Sequence, residues 1–416
     1  MSAVAHSAVD AKRRYAQYLA GIMRPRQSAM VSDLRQEFSD AKIVDATVAC
    51  GGAPPSIESL AFAGIPMRVR GVDNAVVDAS LIGPIPFHAT PHWVRGEEGF
   101  FPFVSALDRP ATVAVTMAAG SVTLANCTLI GISDFFTVVS SAVAGNVFRC
   151  DLQPLVQTPG GIVTVIDWAL QTENGEFMVL DSSTVAVFFV WSAPVGPWAG
   201  KPVWYEALTY ALADLGVENT QSQEESLTAM ISRLHGNPNL TYNTLGGNAY
   251  CQWTPHYSAS NPFELTTFLR VAHGLVKGGK ERHPGGFEII KPPPTLACYD
   301  MAASLSLFAN IVGIPAMPYF MGIDFDGKWK IGLGLIAKPV KVLGLPKRAV
   351  QEDFNTHVCV TCGGRLYDAC IFLEGGSLIA NFDVDTYLDT IVAEKRRIPT
   401  LKANAGPVDL VANLDG

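Results

Sequence analysis

The feature that most constrains the fold is a change of hydrophobic period within the chain. Residues 43–191 contain short runs of Val, Ile, Thr and Phe, separated by Gly, Pro, Asn and Asp. Alternation of apolar and polar side chains in such runs is typical of half-buried strands. After the Pro/Gly-rich residues 192–202 the apolar spacing becomes about 3.6 residues, which is typical of helices. We therefore expect two kinds of domain that meet near this stretch.

The length of the chain supports this division, because 416 residues exceed what one hydrophobic core usually organises. We expect an α+β protein with a helical segment at 1–40, a β-rich, sandwich-like domain at 41–198 and a third domain at 199–416. Within the β-rich part, Asn174 and Gly175 separate two strand-like runs. An Asn-Gly pair in this setting predicts a hairpin with a type I′ turn.

Helix boundaries are recognisable in the third domain. Residues 204–215 have helical apolar spacing and are followed by a glycine. Ser222 and Glu225 have the spacing of a capping box, which predicts a second helix. Asn261 followed by Pro262 is typical of an N-cap and a first helical position, so we expect a third helix to begin there.

Charge and cysteine usage narrow the class of protein. The net charge is −8, only 16% of residues are charged, and no basic run is present, which argues against a nucleic-acid partner. The eight cysteines are thinly spread and are expected to be reduced. The first residues lack the apolar core of a Sec signal, so we expect a cytoplasmic protein, with export by another route left open.

One stretch is long enough for a membrane helix, because residues 110–133 carry no charge. Its first part alternates small or polar with apolar side chains, and Ser, Asn and Gly interrupt the remainder. This texture is typical of strands with one buried face. We expect no membrane span.

Cys298 lies at the predicted start of a helix. Three prolines at 292–294 cannot continue a helix, an apolar run follows Cys298, and Gly313 with Pro315 predicts its end. A thiol at this position faces the positive end of the helix dipole and unused backbone N–H groups. These groups stabilise a thiolate and can also hold an oxyanion. The alternative is a buried cysteine that packs as a small hydrophobic residue.

A second element brings a histidine and an aspartate together. Two apolar-alternating runs flank the glycine pair at 363–364, which predicts a tight hairpin. If these glycines form the turn, Cys362 pairs with Arg365, and His357 and Asp368 share one face. They are then diagonal neighbours, about 7–8 Å apart and within side-chain reach. A carboxylate there can orient the imidazole while its other nitrogen takes a thiol proton.

Cys359 and Cys362 form a Cys-x-x-Cys pair beside Cys370, which raises the alternative of a zinc site. A structural zinc ion needs four ligands, and the sequence offers no second Cys-x-x-Cys or paired histidines. We expect no metal and no cofactor.

These blocks together resemble the transglutaminase-like superfamily of papain-fold cysteine enzymes. The resemblance rests on Cys298, the Gly-Ile-Pro-Ala helix end at 313–316, His357 at a strand start, and Gly-Arg-Leu-Tyr-Asp at 364–368. It covers roughly residues 204–416. It implies a cysteine-bearing helix packed on an antiparallel sheet, with Cys298 as nucleophile, His357 as proton carrier and Asp368 as its orienting partner.

The sequence departs from that family in three respects. The interval from His357 to Asp368 is shorter than expected, so the hairpin is minimal. The second oxyanion donor of the family, an aromatic or amide side chain upstream of the cysteine, has no clear counterpart. Gln252 and Trp253 are the candidates, although Trp253 can equally be a core residue. The strands before residue 199 match nothing in the family.

The resemblance implies chemistry on an amide or peptide bond of a protein or peptide substrate, through a thioester. Hydrolysis by a peptidase or amidohydrolase is the favoured interpretation. Transfer of the acyl group to an amine, as in a transglutaminase, uses the same first step. A binding protein that keeps the fold without catalysis is the third alternative. The β-rich part can present substrate, shield the site or deliver the enzyme, as in a bacterial effector toxin.

Overall fold

The computed structural model describes part of the chain. The described residues are 43–44, 55–65, 67–68, 92–96, 102–109, 111–118, 124–242, 250–253, 261–276, 279–282, 288–291, 294–322, 335–337, 340–342, 345–350, 353–354, 356–373, 376–394 and 406–414. The helical segment expected at 1–40 lies outside them.

Strands outnumber helices in the described residues, which agrees with a β-rich α+β protein. The strands are β1 (Ile43–Val44), β2 (Ser56–Ala63), β3 (Met67–Arg68), β4 (His92–Val94), β5 (Phe103–Ala106), β6 (Ala111–Ala118), β7 (Thr128–Ile132), β8 (Phe136–Ala144), β9 (Val147–Pro154), β10 (Gly160–Gln171), β11 (Phe177–Val190), β12 (Val203–Trp204), β13 (Gly279–Arg282), β14 (Glu288–Lys291), β15 (Met317–Gly322), β16 (Leu335–Ala337), β17 (Val340–Val342), β18 (Leu345–Val350), β19 (Asp353–Phe354), β20 (Thr356–Cys362), β21 (Arg365–Phe372), β22 (Leu378–Phe382), β23 (Val392–Glu394) and β24 (Gly406–Pro407). The helices are α1 (Tyr205–Thr209), α2 (Gln223–Gly236), α3 (Leu265–Ala272), α4 (Cys298–Ile311) and α5 (Val384–Ile391).

The chain divides into two compact units. Described residues up to Ala193, together with Pro202–Glu206, form the first unit. The second unit consists of Pro194–Lys201 and the described residues from Ala207 onward.

The first unit is built on one ten-stranded sheet, in the order β1-β11-β10-β7-β8-β9-β6-β2-β4, with β5 paired to β11. A bridge between Ile65 and Val104 links the end of β2 to β5. The sheet therefore curls until its far strands meet, and its inward side chains enclose one apolar core. The β-rich domain is thus built on one sheet that closes on itself rather than on two facing sheets.

The uncharged stretch at 110–133 contributes strands to this sheet. In β6, residues 111, 113, 115 and 117 are buried, and the residues between them are half-buried. This alternation is the pattern expected for a strand with one face in the core. Among the described residues, the helices are all too short or too polar to cross a membrane.

The hairpin between β10 and β11 is present, but its turn differs from the predicted type. Thr172 donates a backbone hydrogen bond to Glu176, and Gly175 donates one to Thr172, both at 2.9 Å. Gly175 has a φ of +77°, whereas Asn174 is not among the residues with positive φ. The turn is therefore one residue longer than type I′, with glycine in the left-handed position.

The second unit contains a seven-stranded sheet in the order β18-β17-β21-β20-β15-β24, with β22 paired to β21. Helix α4 packs on β15, β20 and β21, and α2 packs on β21 and β22. A cysteine-bearing helix therefore lies on an antiparallel sheet, as the sequence predicts.

The structure confirms one of the predicted helix starts and places another at a different residue. The hydroxyl of Ser222 accepts a hydrogen bond from the backbone N–H of Glu225 at 3.1 Å, which is the expected cap of α2. Helix α3 begins at Leu265, so the start predicted at Asn261 and Pro262 was wrong. The reason is a long-range pairing, because Phe263 donates its N–H to Val411 at 2.8 Å.

Candidate active site

Cys298 occupies the first position of α4. Ala297, just before it, has an extended backbone, and the helix then continues to Ile311 through an almost wholly buried stretch. Gly313, with a φ of +82°, follows the helix end. The backbone N–H of Cys298 is at a helix start, where no residue one turn earlier can accept it within the helix. The thiol therefore lies in the positive field of the helix terminus.

The glycine pair forms the predicted turn between β20 and β21. Gly363 and Gly364 have φ values of +58° and +77°, as a type I′ turn requires. Cys362 pairs with Arg365, and the pairing continues to Val360 and Tyr367. The tight turn therefore sets the register of the two strands at the site.

Past that pairing, the side chain of Asp368 binds its own strand. Its Oδ1 accepts the backbone N–H groups of Cys370 at 2.8 Å and Ile371 at 3.2 Å. These bonds hold the carboxylate in one orientation, with Oδ2 left for other donors.

His357 lies within hydrogen-bonding distance of Asp368, as the predicted register requires. The distance from Nε2 of His357 to Oδ2 of Asp368 is 2.8 Å. Asp368 is 0% exposed, His357 2% and Cys298 6%. Exposure therefore increases from the carboxylate to the thiol.

The electrostatics of the pair favour charge separation. Burial opposes the imidazolium form of His357, but the charge of Asp368, their hydrogen bond and the neighbouring Cys298 outweigh it and raise the pKa of His357 to about 10. Burial likewise opposes ionisation of Asp368, yet His357, Tyr387 and the backbone donors hold its pKa below the usual value. Since Asp368 takes Nε2, the remaining nitrogen, Nδ1, is the one available to the Cys298 thiol.

Tyr387 is a member of this cluster that the sequence did not reveal. Its hydroxyl donates to Oδ2 of Asp368 at 2.5 Å from helix α5, and its side chain is fully buried. From sequence alone, an aromatic residue on the apolar face of a short helix is normally interpreted as a core residue. No local pattern distinguishes it, because its partner is supplied by the tertiary fold.

The two oxyanion candidates differ in their surroundings. Gln252 is exposed and has a φ of +70°, which is uncommon for a residue other than glycine. Trp253 is 0% exposed, and its ring meets Tyr299 edge-on, with centroids 6.5 Å apart. Within the described part of the chain, its indole N–H has no hydrogen-bond partner. A buried donor without a partner requires an explanation, and this favours Trp253 over Gln252.

Asp300 was also missed by sequence reasoning. It is fully buried two residues after Cys298 and accepts hydrogen bonds from three backbone N–H groups. Its position in the first helical turn was a visible signal, because acidic residues are favoured there. Its distant partners, at positions 250 and 251, were not visible.

The other cysteines near the site have a different character. Cys359 and Cys370 are free, buried thiols, and burial raises their pKa. In the described residues, no group of three or more His, Cys, Asp or Glu side chains has an arrangement that could hold a metal ion. The pair Cys359 and Cys362 therefore has no ligand set around it there.

Comparison with known proteins adds little. No protein-family model matches the sequence. No curated protein matches it either. Among solved structures, the chain is similar to the crystal structure of red sea bream transglutaminase, with 12% sequence identity and a TM-score of 0.34. The match covers 64% of this chain and 49% of that one, so the chain spans about half its length. This is a weak similarity, and function must be argued from the site itself.

Proposed function

We propose that the protein is a cysteine-nucleophile enzyme that hydrolyses an amide or peptide bond, with Cys298, His357 and Asp368 as its triad. The observation that carries the proposal is the buried 2.8 Å bond between His357 and Asp368, with Cys298 among the groups that raise the pKa of the same imidazole. A cysteine at a helix start, a histidine and an orienting carboxylate meet the requirements of an activated thiol.

The reaction begins with the proton of the Cys298 thiol already on His357, because the raised pKa of His357 keeps its imidazole protonated at neutral pH. The thiolate attacks the substrate carbonyl carbon and forms a C–S bond, while the carbonyl oxygen takes the negative charge. As this intermediate collapses, the C–N bond breaks and His357 gives its proton to the leaving amine. The product of this half-reaction is a thioester on Cys298 and a free amine.

Water completes the cycle. His357 accepts a proton from water as its oxygen attacks the thioester carbonyl, and the C–S bond then breaks. A carboxylic acid leaves, and the Cys298 thiolate beside protonated His357 is restored. Asp368 holds the imidazole in one orientation and stabilises its positive charge throughout, without itself being protonated.

Two donors are available for the negative oxygen. One is the backbone N–H of Cys298, and the other is the indole N–H of Trp253, which is buried and unpaired among the described residues. Donors that are aimed before the reaction begins stabilise the intermediate without reorganisation. This role accounts for a buried indole donor that the described fold does not otherwise use.

The acyl-enzyme can be trapped directly. Incubation with an activated ester, followed by acid quenching and peptide mass spectrometry, is expected to show the acyl mass on Cys298 in the wild type and not in Cys298→Ala. Acylation of another residue with none on Cys298, or no acylation at all, would overturn the proposal.

The acceptor is tested separately. The protein is incubated with a glutamine-containing protein and a labelled primary amine, and products are followed by mass spectrometry. Hydrolysis predicts release of ammonia or peptides without incorporation of the amine. Amine incorporation that depends on Cys298 would contradict hydrolysis and establish transfer, since both reactions share the thioester.

A further inference from the structure

The carboxylate of Asp300 joins two distant segments beside the nucleophile. Its Oδ2 accepts the backbone N–H of Ala297 at 2.8 Å and that of Tyr250 at 2.9 Å, and its Oδ1 accepts that of Cys251 at 2.8 Å. Ala297 immediately precedes Cys298, whereas Tyr250 and Cys251 belong to residues 250–253, which we call the strap. One side chain therefore ties the start of α4 to the strap.

Because Asp300 is a buried carboxylate, its hydrogen bonds are needed to offset the cost of removing its charge from water. Burial raises the pKa of this fully buried carboxyl to about 6, against the lowering effect of its backbone hydrogen bonds. Burying a carboxylate is unfavourable unless donors compensate it. Capping the helix requires only the bond to Ala297. The two bonds to the strap are additional, and they connect positions that are 50 and 49 residues away.

The strap is held in an uncommon conformation. Trp253 donates its backbone N–H to Cys251 at 2.9 Å across Gln252, whose φ is +70°. This is a γ-turn of the rare, strained kind. The same Cys251 carbonyl accepts the N–H of Glu264 at 3.0 Å. Strained backbone persists where surrounding contacts enforce it. Asp300 and Glu264 provide such contacts on the Cys251 side of the turn.

The turn determines where Trp253 lies. Its ring packs edge-on against Tyr299, which directly follows Cys298. The strap is thus attached to the helix start on both sides of the nucleophile, through Asp300 at one end and through the aromatic contact at the other.

We propose that Asp300 is a positioning residue that holds the indole N–H of Trp253 in place for the oxyanion formed at Cys298. The inference rests on the proposed function, because it assigns a role within that reaction. It makes a specific claim: loss of the Asp300 carboxylate impairs steps that generate an oxyanion and spares steps that need only the thiolate.

Two probes separate these steps. Iodoacetamide alkylates a thiolate without generating an oxyanion, whereas p-nitrophenyl acetate must form a tetrahedral oxyanion before it acylates the thiol. In Asp300→Asn, one acceptor oxygen is replaced by an amide nitrogen that faces N–H donors. We expect the alkylation rate of Cys298 to stay within about threefold of wild type, since that rate follows the thiolate. We expect the acylation rate to fall about 10²-fold, the usual effect of losing one oxyanion donor.

A double-mutant cycle tests whether Asp300 acts through Trp253. If it does, Trp253→Phe combined with Asp300→Asn should acylate within about twofold of Trp253→Phe alone, because the two changes remove one interaction. Full additivity of the two losses would overturn the inference. Ser222→Ala, which removes the cap of α2, is the matched control, and it should lower stability without separating alkylation from acylation.

Amide hydrogen exchange gives a structural readout. Faster exchange at Tyr250 and Cys251 in Asp300→Asn is expected, and unchanged exchange there contradicts the role.

Should that variant not fold, Asp300→Glu keeps the charge and can cap Ala297, but its extra methylene displaces the strap. It should show the same separation of rates. If the rates of alkylation and acylation fall equally, Asp300 acts only as a helix cap and the inference is wrong. A wild type with unreactive Cys298 refutes the proposed function instead.

Discussion

The hydroxyl of Tyr387 and Nε2 of His357 meet the same carboxylate oxygen of Asp368, at 2.5 and 2.8 Å. The carboxylate that orients the histidine is therefore itself held by a buried donor from another helix. With the two backbone N–H groups on its other oxygen, Asp368 is saturated with hydrogen bonds and ionised in a fully buried position.

Removal of this donor is predicted to weaken the fold. Tyr387→Phe deletes the hydroxyl and leaves part of a buried charge unsatisfied, so the free energy of unfolding should fall by about 1–3 kcal/mol. The measurement is chemical denaturation at neutral pH. Tyr250→Phe is the control, because Tyr250 is 40% exposed and should change stability little. Equal effects of the two substitutions would show that Tyr387 contributes no special stabilisation.

The charge of Asp368 is predicted to set the alkaline limit of activity. In the proposed mechanism the imidazolium of His357 protonates the leaving group, and its pKa is raised to about 10 chiefly by Asp368 against the effect of burial. In Asp368→Asn only burial and the weaker partners remain, so this pKa should fall by several units. The alkaline limb of the pH profile of kcat/KM should then move from near 10 to neutral pH or below. A limb that stays in place contradicts the assignment.

His235 is predicted to make the second unit acid-labile. Burial lowers its pKa from 6.5 to about 4, although the charge of Asp368 and the nearby backbone of Ala369 oppose the shift. Between these values the unfolded chain binds a proton that the folded chain does not. Stability from this group is thus present above pH 6.5 and lost as pH falls through 4, by up to about 3 kcal/mol.

The test replaces His235 by Phe, which keeps a ring against Phe372, whose centroid lies 4.7 Å away. Unfolding free energies are measured from pH 7 to pH 4 by denaturant titration. His235→Phe should lose less stability over this range than wild type. Ser232→Ala, on the exposed side of the same helix, should follow the wild-type curve. An unchanged slope in His235→Phe excludes His235 as the cause.

Trp253 is predicted to act in the chemical step. Trp253→Phe keeps most of the buried ring and removes the indole N–H, so kcat should fall about 10²–10³-fold with a small change in KM. Gln252→Ala serves as comparison, since the exposed Gln252 side chain is not assigned to the oxyanion. A larger loss in Gln252→Ala than in Trp253→Phe would reverse the assignment of the second donor.

The elements that sequence reasoning predicted well depend on local rules. Prolines before Cys298 and a glycine after the helix predicted the bounds of α4. The glycine pair at 363–364 predicted the register that brings His357 to Asp368. In both cases the information lies within a few residues, because backbone restrictions and period-two alternation act locally.

What sequence reasoning missed depends on distant partners. The bridge between Ile65 and Val104, which closes the sheet, joins strands whose pairing no local pattern specifies. Helix α3 begins late because Phe263 pairs with a segment near the end of the chain. Tyr387 and Asp300 resemble ordinary core and first-turn residues until their partners are in place. Tertiary contacts override local propensity at these positions.

The most direct test of the central claim is the alkylation of Cys298 across pH in wild type and in His357→Ala, with peptide mapping of every labelled cysteine. Burial raises the pKa of the half-buried Cys362 thiol, which makes it an internal reference. The triad predicts that Cys298 reacts faster than Cys362 at neutral pH, and that His357→Ala lowers its rate at least about tenfold, because the thiolate loses its ion-pair partner. A Cys298 that reacts no faster than Cys362, or at a rate indifferent to His357, would contradict it.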